Sequence, residues 1–156
     1  TLSKSERKFM EVNEGNWFPM KYDRRHQWTA SASYQLSKKW KASANFIYQT
    51  GHAVTLPEAA IMTNASDGPR FIYNERNNSR MPAFHRLDLG FTKTILTARK
   101  HQSELRFGLY NAYNRKNPLY LDLKMQRNQD RVPSAITVKQ VSFFPILPSI
   151  GYTLKF

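Results

Sequence analysis

Residues 27–36, QWTASASYQL, alternate apolar and polar side chains without a break, and WKASANFIYQT at 40–50 repeats the pattern after the turn SKK. Trp28, Ala30, Ala32, Tyr34 and Leu36 fall on one face, with Gln27, Thr29, Ser31, Ser33 and Gln35 on the other. In the second run Trp40, Ala42, Ala44, Phe46 and Tyr48 oppose Lys41, Ser43, Asn45, Ile47 and Gln49. A period of two is the signature of a half-buried strand, and two such runs around a tight turn predict a hairpin. The alternation returns in HRLDLGFTKTI (85–95), SELRFGLY (103–110), PLYLDLKM (118–125) and PSIGYTLKF (148–156). Helical spacing fits none of these stretches as well, so the expected fold class is all-β.

What covers the apolar faces is the next question. A soluble chain of 156 residues is long enough to bury a core. Its 24 Lys+Arg against 11 Asp+Glu, a net charge of +13, point to anionic partners such as nucleic acid, anionic lipid or an acidic ligand. The mean hydropathy of −0.63 suggests solubility. However, transmembrane β-strands of about 10 residues alternate lipid-facing and lumen-facing side chains, which keeps hydropathy low. No run approaches the roughly 20 apolar residues of a transmembrane helix. With no cysteine, disulfides and thiolate metal sites are excluded. TLSKSERKF lacks an apolar signal core, so the chain is expected either to be cytosolic or to continue a longer polypeptide from its amino-terminal side.

Spacing favours a membrane meander. Residues 37–39 and 97–102 read as short turns, whereas 51–84 is a long polar connection of a kind that compact soluble domains rarely carry. Outer-membrane barrels combine short periplasmic turns with long extracellular loops. Tyr34 and Trp40 are expected in a lower aromatic girdle, Trp28 and Tyr48 in an upper one, with Tyr152 as a further girdle residue. Lys38, Lys39 and Lys41 surround one short turn, and Arg99, Lys100 and His101 occupy the other. Lys93 interrupts its apolar row near that end, where a lysine can snorkel.

The phrases FPMKYDRRHQ, RMPAFHRLDLGFTK, GLYNAYNRKNPLY and KQVSFFPILPSIGYTLKF stand in an order that resembles TonB-dependent outer-membrane receptors of Bacteroidetes type, over about residues 9–156. The resemblance implies that residues 1–156 are the carboxyl-terminal part of one barrel domain, an antiparallel transmembrane segment of about five strands in a plugged barrel of about 22. The expected strands are 27–36, 40–50, about 84–96, about 103–124 with its upper half above the membrane, and about 134–156, leaving the carboxyl terminus periplasmic. TLSK is then the stub of an earlier strand. Implied partners are the remainder of the barrel and its plug, the TonB complex, the barrel-assembly machinery, lipid and lipopolysaccharide, and a surface lipoprotein. The implied function is energised import of a specific nutrient across the outer membrane, with no enzymatic activity and no cofactor.

The resemblance also gives the last strand a role. In SIGYTLKF, Ser149, Gly151, Leu154 and Phe156 match the pattern read by the assembly machinery, by strand pairing. The plainer alternative makes Phe156 an interface aromatic only. Asp23, Arg24 and Arg25 in YDRRH are candidates for extracellular contacts with an anion or lipopolysaccharide, set against an internal ion-paired cluster. Arg86, Asp88 and Arg106 are candidates for lumen contacts, with Arg86 and Asp88 spaced as a structural pair. NAYNRKN (111–117) reads as hydrogen bonding within the barrel wall. The four histidines show no metal-ligand spacing, no Ser–His arrangement suggests catalysis, and the sequence names no substrate. Two rivals remain: a non-transporting outer-membrane scaffold or adhesin, and a nucleic-acid-binding β protein. The latter is disfavoured because the strand aromatics and the polar residues lie largely on opposite faces, whereas single-strand binders share one surface.

Overall fold

The computed structural model describes residues 1–61, 70–96, 102–127 and 133–155. Thirteen strands follow in chain order: β1 (Glu6–Arg7), β2 (Phe18–Pro19), β3 (Gln27–Gln35), β4 (Trp40–Gln49), β5 (Ala53–Val54), β6 (Ala59–Ile61), β7 (Arg70–Ile72), β8 (Ser79–Arg80), β9 (Phe84–Leu96), β10 (Gln102–Tyr110), β11 (Pro118–Arg127), β12 (Pro133–Ser142) and β13 (Leu147–Lys155). All pairings are antiparallel. The chain divides into two compact units. The first comprises Thr1–His26, Thr50–Ala83 and Pro118–Ser142, and the second Gln27–Gln49, Phe84–Asn117 and Phe143–Phe156.

The second unit is a five-stranded sheet of order β13-β10-β9-β4-β3. Its edge strands, β3 and β13, do not pair with each other, so the sheet is open. Register carries the alternation of each strand into continuous rows. Tyr34, Ala42, Phe91, Phe107 and Ile150 stand side by side across all five strands. On the opposite face Gln35, Lys41, Thr92, Arg106 and Gly151 form the corresponding row. A slip of one residue anywhere would mix these faces. The β3–β4 turn is fixed locally: Ser37 Oγ accepts from the amides of Lys39 (3.3 Å) and Trp40 (3.2 Å).

Among its described residues this sheet buries no apolar side chain; its buried residues are Ser103, Asn111 and Asn117, all polar. Trp28 is 64% exposed, and Tyr34 and Ile150 72% each.

The sequence leads one to expect single long strands over 103–124 and 134–156. The structure corrects both. Each is broken in two, at 111–117 and at 143–146, and the outer halves β11 and β12 pair as a separate ribbon in the first unit. At 111–117 the physical cause is backbone: Asn111 and Asn114 both adopt φ +54°, a left-handed turn that asparagine tolerates and a strand does not.

The first unit is built from short ladders, β1–β2, β5–β8 and β6–β7, besides the β11–β12 ribbon. The 51–84 connection therefore carries paired segments too short for a periodicity to reveal. Phe18, Ala53 and Met81, together with Pro118, are its buried apolar side chains among the described residues. Gly51 is obligatory, since a Cβ would lie 1.6 Å from the Met81 carbonyl oxygen.

Candidate functional site

The apolar face of the sheet carries Trp28 and Tyr48 towards one end and Tyr34, Trp40 and Tyr152 towards the other. At one end of β4, Trp28 and Tyr48 are cross-strand partners with ring centres 6.3 Å apart. The row continues to His85, stacked on Tyr48 at 6.2 Å, and His85 Nδ1 is 2.7 Å from the Tyr113 hydroxyl. At the other end Trp40, Lys93, Leu105 and Tyr152 share a row, while Tyr34 stands one row nearer the middle. The row-breaking Lys93 lies over the Trp40 ring, 5.2 Å from its centre. Tyr152 donates its hydroxyl to Ser103 Oγ (3.0 Å), giving the buried Ser103 its partner.

The opposite face is polar and internally paired. Ser31 Oγ donates to Asn45 Oδ1 at 2.7 Å. Arg86 binds Asp88 through Nε (3.0 Å) and a terminal nitrogen (2.9 Å), and donates its other terminal nitrogen to the Tyr110 hydroxyl (2.7 Å). Its guanidinium carbon lies 4.0 Å from the centre of the Tyr110 ring. Arg106 pairs with Glu104 at 2.6 Å. Gly90 and Gly108 lie directly beneath Ser43 Oγ and Ser149 Oγ, where a Cβ would approach to 2.5 and 2.4 Å.

The asparagines of 111–117 tie off the broken strands. Asp88 Oδ1 accepts from the Asn111 amide (3.0 Å), which links the Arg86 pair to the turn. The buried Asn111 Nδ2 donates to the carbonyls of Arg115 (2.9 Å) and Phe144 (3.3 Å), and its Oδ1 accepts from the Arg115 amide (3.1 Å). Asn114 Oδ1 accepts from the Ile146 amide (3.0 Å), and Asn117 Oδ1 from that of His85 (3.0 Å). These bonds satisfy the backbone that the left-handed turns leave without a ladder partner.

In the first unit, Asp23 is only 2% exposed. Its carboxylate accepts from the Ser5 amide (2.7 Å), from Arg25 Nε (3.1 Å) and from Arg80, 57 residues away in the chain. Arg80 also donates to the carbonyls of Asp23 and Gly51, each at 3.1 Å. Burial pushes the Asp23 carboxyl up, but the hydrogen bonds from Arg80, Ser5 and Arg25 outweigh it and hold its pKa below the usual carboxylate value. The carbonyl of Arg24 accepts from Ser3 Oγ (2.8 Å). Buried and held by three donors, Asp23 is a clasp between segments of chain and presents no open face to a ligand.

Of the expected assembly signal, Ser149 pairs with Gly108, Gly151 with Arg106 and Leu154 with Ser103 on the edge strand β13. A Cβ on Gly151 would meet nothing within 4 Å. Phe156 and the 97–101 part of the expected turn, with Arg99, Lys100 and His101, lie outside the described residues. Sequence reasoning missed Arg80, His85, Tyr110 and Tyr113 as partners. Only the asparagine spacing in NAYNRKN carried a local signal, since Asn is enriched at positive φ.

Compared with known proteins, the chain matches no family model, no curated protein and no solved structure.

Proposed function

We propose that this chain forms part of the wall of a TonB-dependent outer-membrane receptor that imports a specific nutrient by energised transport. One observation carries the membrane part of the reading. A sheet of five strands in register presents a continuous apolar face with large exposed side chains, and its described residues bury no apolar side chain. A water-soluble sheet of this size would have to bury that face against a second layer. Lipid covers it without one.

Dimensions support the same reading. Trp40 and Tyr48 lie eight residues apart on β4, about 27 Å along an antiparallel strand. At a tilt of about 40° that spans roughly 20 Å of bilayer, near the ~25 Å apolar band between the aromatic girdles of outer-membrane barrels. The open edges β3 and β13 need further strands, because unpaired backbone groups in lipid cost several kcal/mol each. Energised import itself rests on the sequence resemblance.

Two experiments test the reading. An impermeant maleimide should label a cysteine at Glu75 in intact cells, and one at Lys38 only after permeabilisation; the reverse pattern would invert the topology. Uptake of the nutrient that this protein admits should stop when TonB is deleted. Uptake that persists would indicate a passive barrel.

A further inference from the structure

The first unit carries a half-open pocket of about 450 Å³ that the clasp and the ladders do not account for. Its apolar side is formed by Ala53, Met81 and by Leu119, Leu121 and Leu123 of β11. Alternation along β11 sends the Asp122–Lys124 pair (3.7 Å) to the opposite face. Lys21, His52 and Arg76 also line the pocket, and among the described residues no carboxylate does. A smaller adjoining pocket of about 140 Å³ is also lined by Lys21, Arg76 and Asn77, so these residues border both spaces.

The backbone that presents Arg76 is fixed. Asn13 accepts from the Arg76 amide (2.7 Å) and donates to the Arg76 carbonyl (3.0 Å). The next residue, Asn77, holds φ +57° with its amide on Thr55 Oγ1 (3.0 Å) and its side chain on the Pro19 carbonyl (2.7 Å). Among the described residues no carboxylate pairs with the Arg76 guanidinium or the Lys21 ammonium. The ammonium lies 5.7 Å from the centre of the Tyr22 ring. Burial, and then the charges of Arg24 and Lys21, hold the His52 pKa below the usual histidine value.

We infer that this pocket binds a small amphiphilic anion, its carboxylate, phosphate or sulfate head between Lys21 and Arg76 and its apolar body on the leucine face of β11. A neutral apolar ligand would make no use of the two exposed cations, and a wholly hydrophilic anion would leave the leucines wet. The volume lies within the range of small-molecule sites, about 300–1,000 Å³. The inference rests on the proposal above that this unit meets the cell exterior. The same chemistry is offered by a soluble nutrient or by the phosphorylated, acylated anchor of lipopolysaccharide.

The test uses the intact protein in lipid nanodiscs and two probes with one aromatic body, naphthalene-1-acetate and the neutral 2-(1-naphthyl)ethanol, measured by equilibrium dialysis. The acid should bind about tenfold more tightly than the alcohol. Lys21→Gln and Arg76→Gln should each weaken the acid about three- to fivefold and leave the alcohol unchanged, whereas Leu121→Asn should weaken both. Neither cation holds an ion pair among the described residues, so heat resistance of the two glutamine variants should match that of the parent. Equal affinity for the two probes, or a preference that survives the double glutamine variant, would overturn the inference. Displacement of the acid by added lipopolysaccharide would assign the site to lipid; binding undisturbed by it would assign the site to a soluble anion. Absent preference alongside surface labelling at Glu75 defeats this inference alone. Labelling of Glu75 only after permeabilisation defeats the surface reading beneath it, whatever the probes do.

Discussion

Lys93 holds its ammonium 5.2 Å from the centre of the Trp40 ring, directly across the β4–β9 ladder. This is how an otherwise apolar row tolerates a cation: the ring covers the charge, and the long stem covers apolar surface. Lys93→Leu should therefore be nearly neutral. Lys93→Glu loses the contact and sets a negative charge against the face of the ring, and should cost about 1–2 kcal/mol. Heat-induced unfolding of the detergent-solubilised protein, followed by gel mobility, separates the two. Equal losses would show that the ring contact contributes nothing.

The Asp23 clasp should open in acid. Its folded pKa lies below the unfolded value, so its stabilisation is complete above about pH 4 and is lost as pH falls through the folded pKa. Asp23→Asn keeps a partner for the Ser5 amide but removes the charge facing Arg25 and Arg80. The expected cost is about 1–3 kcal/mol, towards the lower end because both guanidinium groups reach water. Amide exchange should rise in residues 3–7 and 79–81 below pH 4 in the parent, and at neutral pH in the variant. Protection unchanged in both would refute the clasp.

Asn111→Asp should be costly. An ionised aspartate cannot donate to the Arg115 and Phe144 carbonyls, and the site is fully buried. Each donor lost leaves a carbonyl unsatisfied at about 1–3 kcal/mol. Asn114→Asp retains the acceptor that Ile146 uses and should be much milder. Similar melting temperatures for the two variants would contradict this reading of the turn.

Gly151 separates assembly from stability. It has open space where a side chain would go, so Gly151→Val should leave the heat resistance of the assembled protein unchanged. If β13 is read by the assembly machinery, the same variant should reach the cell surface in reduced amounts. Normal surface abundance would remove Gly151 from the assembly signal.

The strands β3, β4 and β9 were legible in the sequence because their side chains alternate with few interruptions and each strand forms an unbroken ladder. The breaks at 111–117 and 143–146 were not. Leu109 and Leu119 have the same parity, as do Ile136 and Ile150, so the apolar phase agrees on either side of each interruption, as it would in a continuing strand. What fastens the two breaks together is a set of side-chain bonds to backbone more than thirty residues away, Asn111 to Phe144 and Asn114 to Ile146. The charged cluster at 22–26 was visible, but its decisive partner, Arg80, lies in a connection without periodicity. Local pattern finds strands; it does not find the partner of a buried carboxylate.

The most direct measurement is a nitroxide scan of residues 41–48 in bilayers, simple to place because the chain has no cysteine of its own. Lipid-soluble oxygen should relax labels at 42, 44 and 46 most strongly, and a water-soluble nickel chelate those at 43, 45 and 47, with a period of two and opposite phase. If the chelate reaches 42, 44 and 46 as readily as their neighbours, the apolar face does not meet lipid and the outer-membrane reading fails.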